Sequence, residues 1–410
     1  MAEQFDAVVV GAGAVGSAAA YELAKRGRRT LLLEQFELGH NRASSHGESR
    51  IIRHSYSSAV YAALAPAAFE LWRALERESG ARLLTMTGGI DIGPATDPAM
   101  QACRGALAQA GVGAVWLEGE AARSYARQFA MPDDWAVLWQ SGAGILDAGR
   151  CVRTLAAQAI AHGATLIEQA RVTAIEPGAR TTRVRFARGG SEAEVEARSV
   201  VVAAGPWAGR LFAALGLEPS LRVTHQQVVY YPAADTALWA AGRCPIYIAH
   251  GPGGFYGFPT HERPGFIKVA IELETAVDDP DEPLRELDRQ ALARLTETVA
   301  RFSAASAPNR PKWSPAGTPR HRTATSSSTG TPTIQPSSLR RPVRDMGSSS
   351  RCCPESWPAN SRSLRPETTT RPCGTRGSGS LARPNRTTRS RWSGAADGTA
   401  PECSSGACTA

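Results

Sequence analysis

Residues 4–35 read QFDAVVVGAGAVGSAAAYELAKRGRRTLLLEQ, and this stretch decides the fold. Asp6 leads into an apolar run, Ala7 to Val10, whose length and β-branching suit a buried parallel strand. Gly11, Gly13 and Gly16 follow at GxGxxG spacing, and a helix-forming segment runs from Ala14 to Lys25 and stops at Arg26-Gly27. A second apolar run, Thr30 to Leu33, ends in Glu34. In this pattern the first glycine makes the tight turn and the second leaves room for a pyrophosphate against the backbone. The third lets the helix pack on the strand, whose neighbour helix then turns its free N–H groups toward the phosphates. An acid about twenty residues on binds ribose hydroxyls, and Glu34 lies 18 residues after Gly16. The unit reads as a complete βαβ dinucleotide fingerprint; its alternative is a Gly-rich strand-to-helix turn that binds nothing.

Outward from it, Leu38 to Tyr56 (LGHNRASSHGESRIIRHSY) is too rich in Ser, His and Arg to be core. Arg50 and Arg53 are three apart, so a helical turn over Ser49 to His54 would put both on one face. Two guanidiniums together repel unless an anion lies between them; otherwise they are a pair of surface arginines. Leu64, Ala68, Leu71 and Leu75 recur at helical spacing, with Phe69 and Trp72 widening the stripe, which predicts a packing helix. Leu83 to Gly93 reads as strand, turn and strand, and entry into a second domain is placed there.

Gly144 to Ala148 precedes a predicted helix over Arg150 to Ala161, with strands at Thr165 to Ile167 and Val172 to Ile175. A hairpin alternates through Val184 and Phe186, turns at Gly189-Gly190 and returns through Val195. Ser199 to Ala204 is read as a further β-run ending in Gly205-Pro206-Trp207. Val223 to Tyr231 and Pro245 to Ile248 read as strands of the second domain. Lys268 stands inside the apolar run Gly265 to Ala270, where an ammonium is costly unless it has a partner or a task, although a lysine can also snorkel to the surface. Leu284, Leu287, Ala291, Leu295, Val299 and Phe302 form the last periodic segment.

The chain's 410 residues suffice for two cored domains. Its net charge of +8 is unevenly spread: residues 303–410 hold 16 of the 46 Lys+Arg and 5 of the 38 Asp+Glu, a formal +11, leaving −3 for the first 302 residues. A basic nucleic-acid binder is therefore a poor reading, because the charge belongs to the tail alone and aromatics there are few. Cys103, Cys151 and Cys244 are scattered, and Cys352, Cys353, Cys373, Cys403 and Cys408 show no zinc-type pairing. Met1 to Asp6 carries no secretory signal pattern and no long apolar run occurs, so a cytoplasmic protein without membrane or nucleic-acid partners is expected.

DAVVVGAGAVGSAAAYELAKRG, the SHGESRIIRHSY loop, the AAGPWAG turn at Ala203 to Gly209, and YGFP followed by GFIK together resemble the monomeric sarcosine oxidases and N-methyltryptophan oxidases, over roughly residues 4 to 302. The resemblance implies FAD, with Gly11, Gly13, Gly16 and Glu34 on its ADP half and Val172 beside the adenine. It places Ser45, His46, Ser49 and Arg50 near the isoalloxazine and gives Arg53 the substrate carboxylate. Tyr256 would line the substrate pocket, and Lys268 would sit over the flavin to promote reaction with dioxygen. The implied chemistry is oxidative demethylation of a small N-methyl amino acid by a monomer. A hydride equivalent leaves the carbon next to nitrogen, the imine hydrolyses, and dioxygen becomes hydrogen peroxide. Alternatives are an NAD(P)-dependent dehydrogenase, which explains the fingerprint but not Arg50, Arg53 or Lys268, and a non-catalytic flavin-binding remnant.

The expected fold is α/β. A discontinuous Rossmann-type FAD-binding domain spans 1–85 and 144–220, and a smaller α+β substrate domain with an antiparallel sheet spans 86–143 and 221–302. Residues 303–410 are a Ser/Thr/Pro/Arg tail without apolar periodicity, the composition of a disordered chain. Members of the resembling family continue instead with a flavin-bonding cysteine in a Cys-x-Tyr-Thr context and later a Ser-Gly-His-Gly-Phe-Lys motif. Shifting the reading frame from near Arg301 to Ala304 lets Pro315 to Pro319 encode Cys-Gly-Tyr-Thr. The same shift lets Val343 to Ser349 encode Ser-Gly-His-Gly-Phe-Lys. A frameshift is therefore expected, with impaired folding and flavin retention.

Overall fold

The computed structural model describes residues 3–219, 221–233, 235–251, 253–271, 279–282, 289–302 and 322–326, the last five, His225 and Phe302 by backbone only. Three sheets organise them. The first has six strands in the order Arg171–Pro177, Thr182–Arg188, Ser191–Val202, Glu3–Val10, Thr30–Leu33 and Thr165–Ile167. Its last four strands run parallel, while the first two are joined antiparallel as a meander. Val8, Val9, Leu31, Leu32 and Leu33 are all buried, because a parallel strand between helices has no wet face. Ser199 to Ala204 does not start a new run: Ser191–Val202 is one strand, in which Ser191 to Ala197 pairs with Thr182–Arg188 and Val195 to Val202 pairs with Glu3–Val10.

The turn out of the first strand behaves as its glycines require. Gly11 has φ +99°, and a Cβ there would lie 2.5 Å from the Ala203 carbonyl oxygen. A Cβ on Gly16 would lie 1.8 Å from the Gly11 oxygen. Helix Ala14–Lys25 can approach the sheet this closely only on a glycine.

The second sheet has eight strands in the order Arg322–Ser326, Val223–Pro232, Phe266–Ala270, Phe255–Phe258, Ile246–Ala249, Gly89–Pro94, Trp135–Gln140 and Val115–Glu118. Its pairings are antiparallel except that Ile246–Ala249 pairs parallel with Gly89–Pro94. Its core gathers Ile90, Ile92, Phe129, Tyr231, Tyr247 and Phe255, onto which Leu295 and Val299 of helix Arg289–Phe302 pack. Leu284 and Leu287 of the predicted helical stripe lie outside the described residues. Where the tail was expected to hold no element, Arg322–Ser326 pairs antiparallel with Val223 to Gln227. The neighbouring strand Phe266–Ala270 pairs with Val228 to Pro232, so the two halves of Val223–Pro232 have different partners.

A third, small sheet joins Arg50–Ile52, Gly144–Leu146 and Leu84–Met86. The stretch after Ser49 is therefore extended, not a helical turn. Side chains alternate along a strand, and Ile51 and Ile52 serve different cores, so β pairing with Gly144–Leu146 outweighs the local helical option. Helix Ala59–Ser79 forms, but turned from its expected face. Ala62, Ala65, Phe69, Trp72 and Leu75 face inward, while Leu64 and Leu71 are 58% and 64% exposed. The stripe through Phe69 and Trp72 is equally periodic and buries more area, so it wins. Among the described residues no helix is long and apolar enough to cross a membrane.

Candidate functional site

The glycine turn and the loop after the second strand meet at Ser45. Its hydroxyl accepts from the Ala14 N–H at 3.0 Å and lies 3.2 Å from where a Gly13 Cβ would project. Glu34, at the end of Thr30–Leu33, is buried and turned inward. Its Oε2 accepts from the Ala12 N–H at 2.8 Å and its Oε1 from the Phe36 N–H at 3.0 Å. These atoms fit the adenosine-pyrophosphate half of FAD. Gly13 itself offers no side-chain cap to helix Ala14–Lys25, Ser45 does so at the Ala14 amide, and Val15 in the first turn is 73% exposed. An anion there would meet free amides and a positive helix end. Val172 stands apart from the loop. It sits on the edge strand Arg171–Pro177, packed against the core that includes Val10, Leu31 and Leu33.

From Ser45 the loop runs into a cavity of about 1310 Å³ whose wall includes His46, Ser49, Arg50, Arg53, Tyr256 and Lys268. Six of the residues singled out from sequence thus share one space, although Arg50 and Arg53 arrive there by different routes. Arg50 turns its guanidinium back on its own loop, donating to the carbonyl oxygens of Ser44, His46 at 2.7 Å and Ser49 at 2.7 Å. Arg53 stacks its guanidinium 4.7 Å from the Tyr56 ring centre and forms an ion pair with Asp91 at 3.5 Å. His46 is held by the Ala43 carbonyl through Nδ1 at 2.8 Å.

Lys268 is 7% exposed in the middle of Phe266–Ala270, and the partner that its position demanded is Glu262. Nζ donates to Glu262 Oε1 and to Ser49 Oγ, both at 2.9 Å. Glu262 also accepts from the Ser49 hydroxyl and from the Tyr230 phenol. Burial lowers the Lys268 pKa, opposed by the charge of Glu262. Burial pushes the Glu262 carboxyl up, but Lys268 and the hydroxyls outweigh it and hold the acid below its ordinary value. An ionised carboxylate beside an ammonium is the consistent state. Burial, then Glu262, hold the Tyr230 phenol well above its usual range.

A second buried acid pairs with Arg53 and His250, both of which line the cavity. Asp91, 1% exposed on strand Gly89–Pro94, receives His250 Nε2 at 2.8 Å on the same Oδ1 that faces Arg53, while Gln140 approaches its Oδ2 at 3.4 Å. Asp91, His250, Glu262 and Tyr230 were not singled out in the sequence. For Asp91 the signal was present: a charge inside the apolar run Gly89-Ile90-Asp91-Ile92 poses the same question as Lys268.

Comparison with known proteins gives the family. Residues 6–344 match the DAO family, described as FAD dependent oxidoreductase, and so extend past Phe302 into the tail. The chain is 31% identical over 281 residues to peroxisomal sarcosine oxidase of Homo sapiens, covering 68% of this chain and 70% of that protein. It is 30% identical over 289 residues to monomeric sarcosine oxidase of Bacillus sp. (strain B-0618), covering 70% and 73%. Among solved structures, NikD, an unusual amino acid oxidase essential for nikkomycin biosynthesis, superposes with TM-score 0.66 at 26% identity, covering 79% of this chain and 82% of that one. These matches set the NAD(P) alternative aside. With its glycine turn, its cavity and its relatives in agreement, the chain belongs to the DAO family of FAD-dependent oxidoreductases, and FAD is its cofactor.

Proposed function

We propose that this chain oxidises a small N-methyl amino acid, in the class of sarcosine or N-methyltryptophan, with dioxygen as acceptor, acting as a cytoplasmic monomer. The observation that carries the reading is the convergence of Arg50, Arg53, Tyr256 and Lys268 on one cavity whose lining loop is tied by Ser45 to the glycine turn. The two-part division of the chain, with nucleotide held by the six-stranded layer and substrate by the eight-stranded one, belongs to the same proposal.

Bound FAD would supply the hydride-accepting and electron-carrying chemistry. The chain's own residues supply position and charge. Arg53, braced by Asp91 and the Tyr56 ring, presents donors to a substrate carboxylate and so aims the carbon next to nitrogen. Arg50, with its donors spent on three carbonyls, contributes a fixed positive charge to the cavity, favouring an electron-rich ring system there. Lys268 adds a second cation at a dry position where negative charge develops on oxygen during its reduction. Tyr256 lines the space beside them.

Activity is reduced in this chain by a reading-frame change near Arg301 to Ala304, which removes the covalent flavin link and the second carboxylate anchor of the resembling family. The test compares this chain with a frame-restored version, both supplied with FAD, for peroxide release from sarcosine, N-methyltryptophan and a cyclic imino acid. The expected result is release from at least one of the three, higher in the restored chain and lost in Arg53→Met. Bound flavin with no peroxide from any substrate in the restored chain refutes the oxidase reading. Equal activity in both chains refutes the frame change as the cause of impairment.

A further inference from the structure

Beside the cavity, the buried Asp91 and Cys103 and the half-buried, cavity-lining His250 bring their ligating atoms within 4.8 Å of one another, and neither Cys103 nor His250 has a part in the reading above. A metal is the first chemistry that such a trio brings to mind, but its electrostatics point elsewhere. Asp91 Oδ1 already faces both His250 Nε2 at 2.8 Å and the Arg53 guanidinium at 3.5 Å, so a cation would have to displace an arginine. Burial also pushes the Cys103 thiol up to about 12, leaving it protonated and a poor ligand. The trio is arranged around an anion.

Asp91 instead resembles the orienting acid of an acid–histidine pair. A carboxylate that accepts from one ring nitrogen fixes the tautomer and leaves the other nitrogen as a lone-pair acceptor. With Nε2 committed to Asp91, Nδ1 is the ring atom left to meet a molecule in the cavity, whose wall includes His250. His250 Nε2 and Arg53 Nη1 meet one oxygen of Asp91, at 2.8 Å and 3.5 Å, so the two cavity-lining side chains flank a single carboxylate. From this geometry, and resting on the proposed use of the cavity, we infer that His250 is the acceptor of the proton that a substrate ammonium must lose, with Asp91 as its positioning residue.

The step balances without a further reactant. An N–H bond of the ammonium breaks and its electron pair stays on nitrogen, which only then can assist departure of a hydride from the adjacent carbon. The proton forms a bond to Nδ1, leaving an imidazolium between substrate and the Asp91 carboxylate. The surroundings drive it in that direction, since Arg50, Arg53 and Lys268 line the same space and disfavour a cationic amine. Among the described residues, the charged and titratable groups around His250 are Asp91 on its own sheet, Arg53 from the loop after Arg50–Ile52, and Cys103 from helix Pro98–Gln109, with Asp97 at that helix's N-cap beside the neighbouring Gly251.

The test labels the histidines of the full chain with ¹⁵N, supplies FAD, and identifies the His250 signals by their loss in His250→Gln. N-methylglycine should move both ring nitrogens of His250 to imidazolium shifts. (Methylthio)acetate, which keeps the carboxylate but has no ammonium, should leave them neutral. In Asp91→Asn the response to N-methylglycine should vanish, while His46 and His261, on the same wall, serve as internal references. In turnover, His250→Gln should lose roughly 100-fold in kcat/KM. His250 signals that stay neutral with N-methylglycine, or move equally with both ligands, overturn the inference and leave the oxidase reading standing. Failure of both ligands to perturb either flavin absorption or any histidine overturns the inference and the cavity assignment together.

Discussion

Replacing Glu262 by Gln removes the counter-charge of a buried ammonium while keeping shape and hydrogen-bonding capacity. The Lys268 and Glu262 side chains are only 8% and 6% exposed, so solvent cannot take over the pairing. Breaking one side of a buried ion pair costs about 3–5 kcal/mol. An upper limit comes from the lysine itself, which can shed its proton. From an ordinary value of 10.5, neutralising it at pH 7 costs about 1.4 kcal/mol per pH unit, or about 5 kcal/mol. The sign of the pH dependence follows. In Glu262→Gln the folded-state pKa of Lys268 lies further below its unfolded value, so the unfolded chain binds more protons and stability rises with pH until the unfolded lysine titrates. The gap between wild type and variant should be about 3–5 kcal/mol at pH 7 and shrink toward pH 10. Urea unfolding at half-unit pH steps measures it, and the double variant Glu262→Leu, Lys268→Met should recover most of the loss. A gap below about 1 kcal/mol, or one that does not change with pH, refutes the account of a charged, mutually dependent pair.

Gly16→Ala should shift the helix Ala14–Lys25 off the sheet, because its methyl would lie 1.8 Å from the Gly11 oxygen. A loss of about 1–3 kcal/mol is expected in thermal unfolding, together with loss of bound flavin during gel filtration. Glu78 collects His162, Lys25 and Tyr21, in that order of influence, and is held down to about 2. Its folded pKa lies below the unfolded one, so its contribution is present above about pH 4.5 and lost as pH falls toward 2. Glu78→Gln should cost about 1 kcal/mol at pH 7, a difference that disappears in acid unfolding curves near pH 2.

Local sequence carried the nucleotide half of the fold well. The three glycines, the helix between them and Lys25, and the acid closing Thr30–Leu33 are all decided by contacts within about thirty residues, and the pattern states them directly. Lys268 was legible as a question, a charge in an apolar strand, but its answer lay outside that strand's alternation. Glu262 precedes Lys268 by only six residues and binds it across a turn, together with Ser49 and Tyr230 from other elements. Arg50 and Arg53 show a different failure. Spacing of three is a helical signal, yet the pairing of Arg50–Ile52 with Gly144–Leu146, more than ninety residues away, decided the local conformation. Asp91 and His250 are brought together by the parallel pairing of Gly89–Pro94 with Ile246–Ala249, a register that no single window of sequence contains.

The pairing of Arg322–Ser326 with Val223 to Gln227 has a consequence for how such a chain is inspected as it is made. A ladder of N–H and C=O groups tests only whether an arriving segment is extended and correctly spaced; it does not read identity. Arg322–Ser326 satisfies that test whatever sequence surrounds it. A polypeptide that diverges from its relatives downstream can thus still close the seam of its largest sheet, and proofreading must come from the interior contacts, where shape is checked atom by atom.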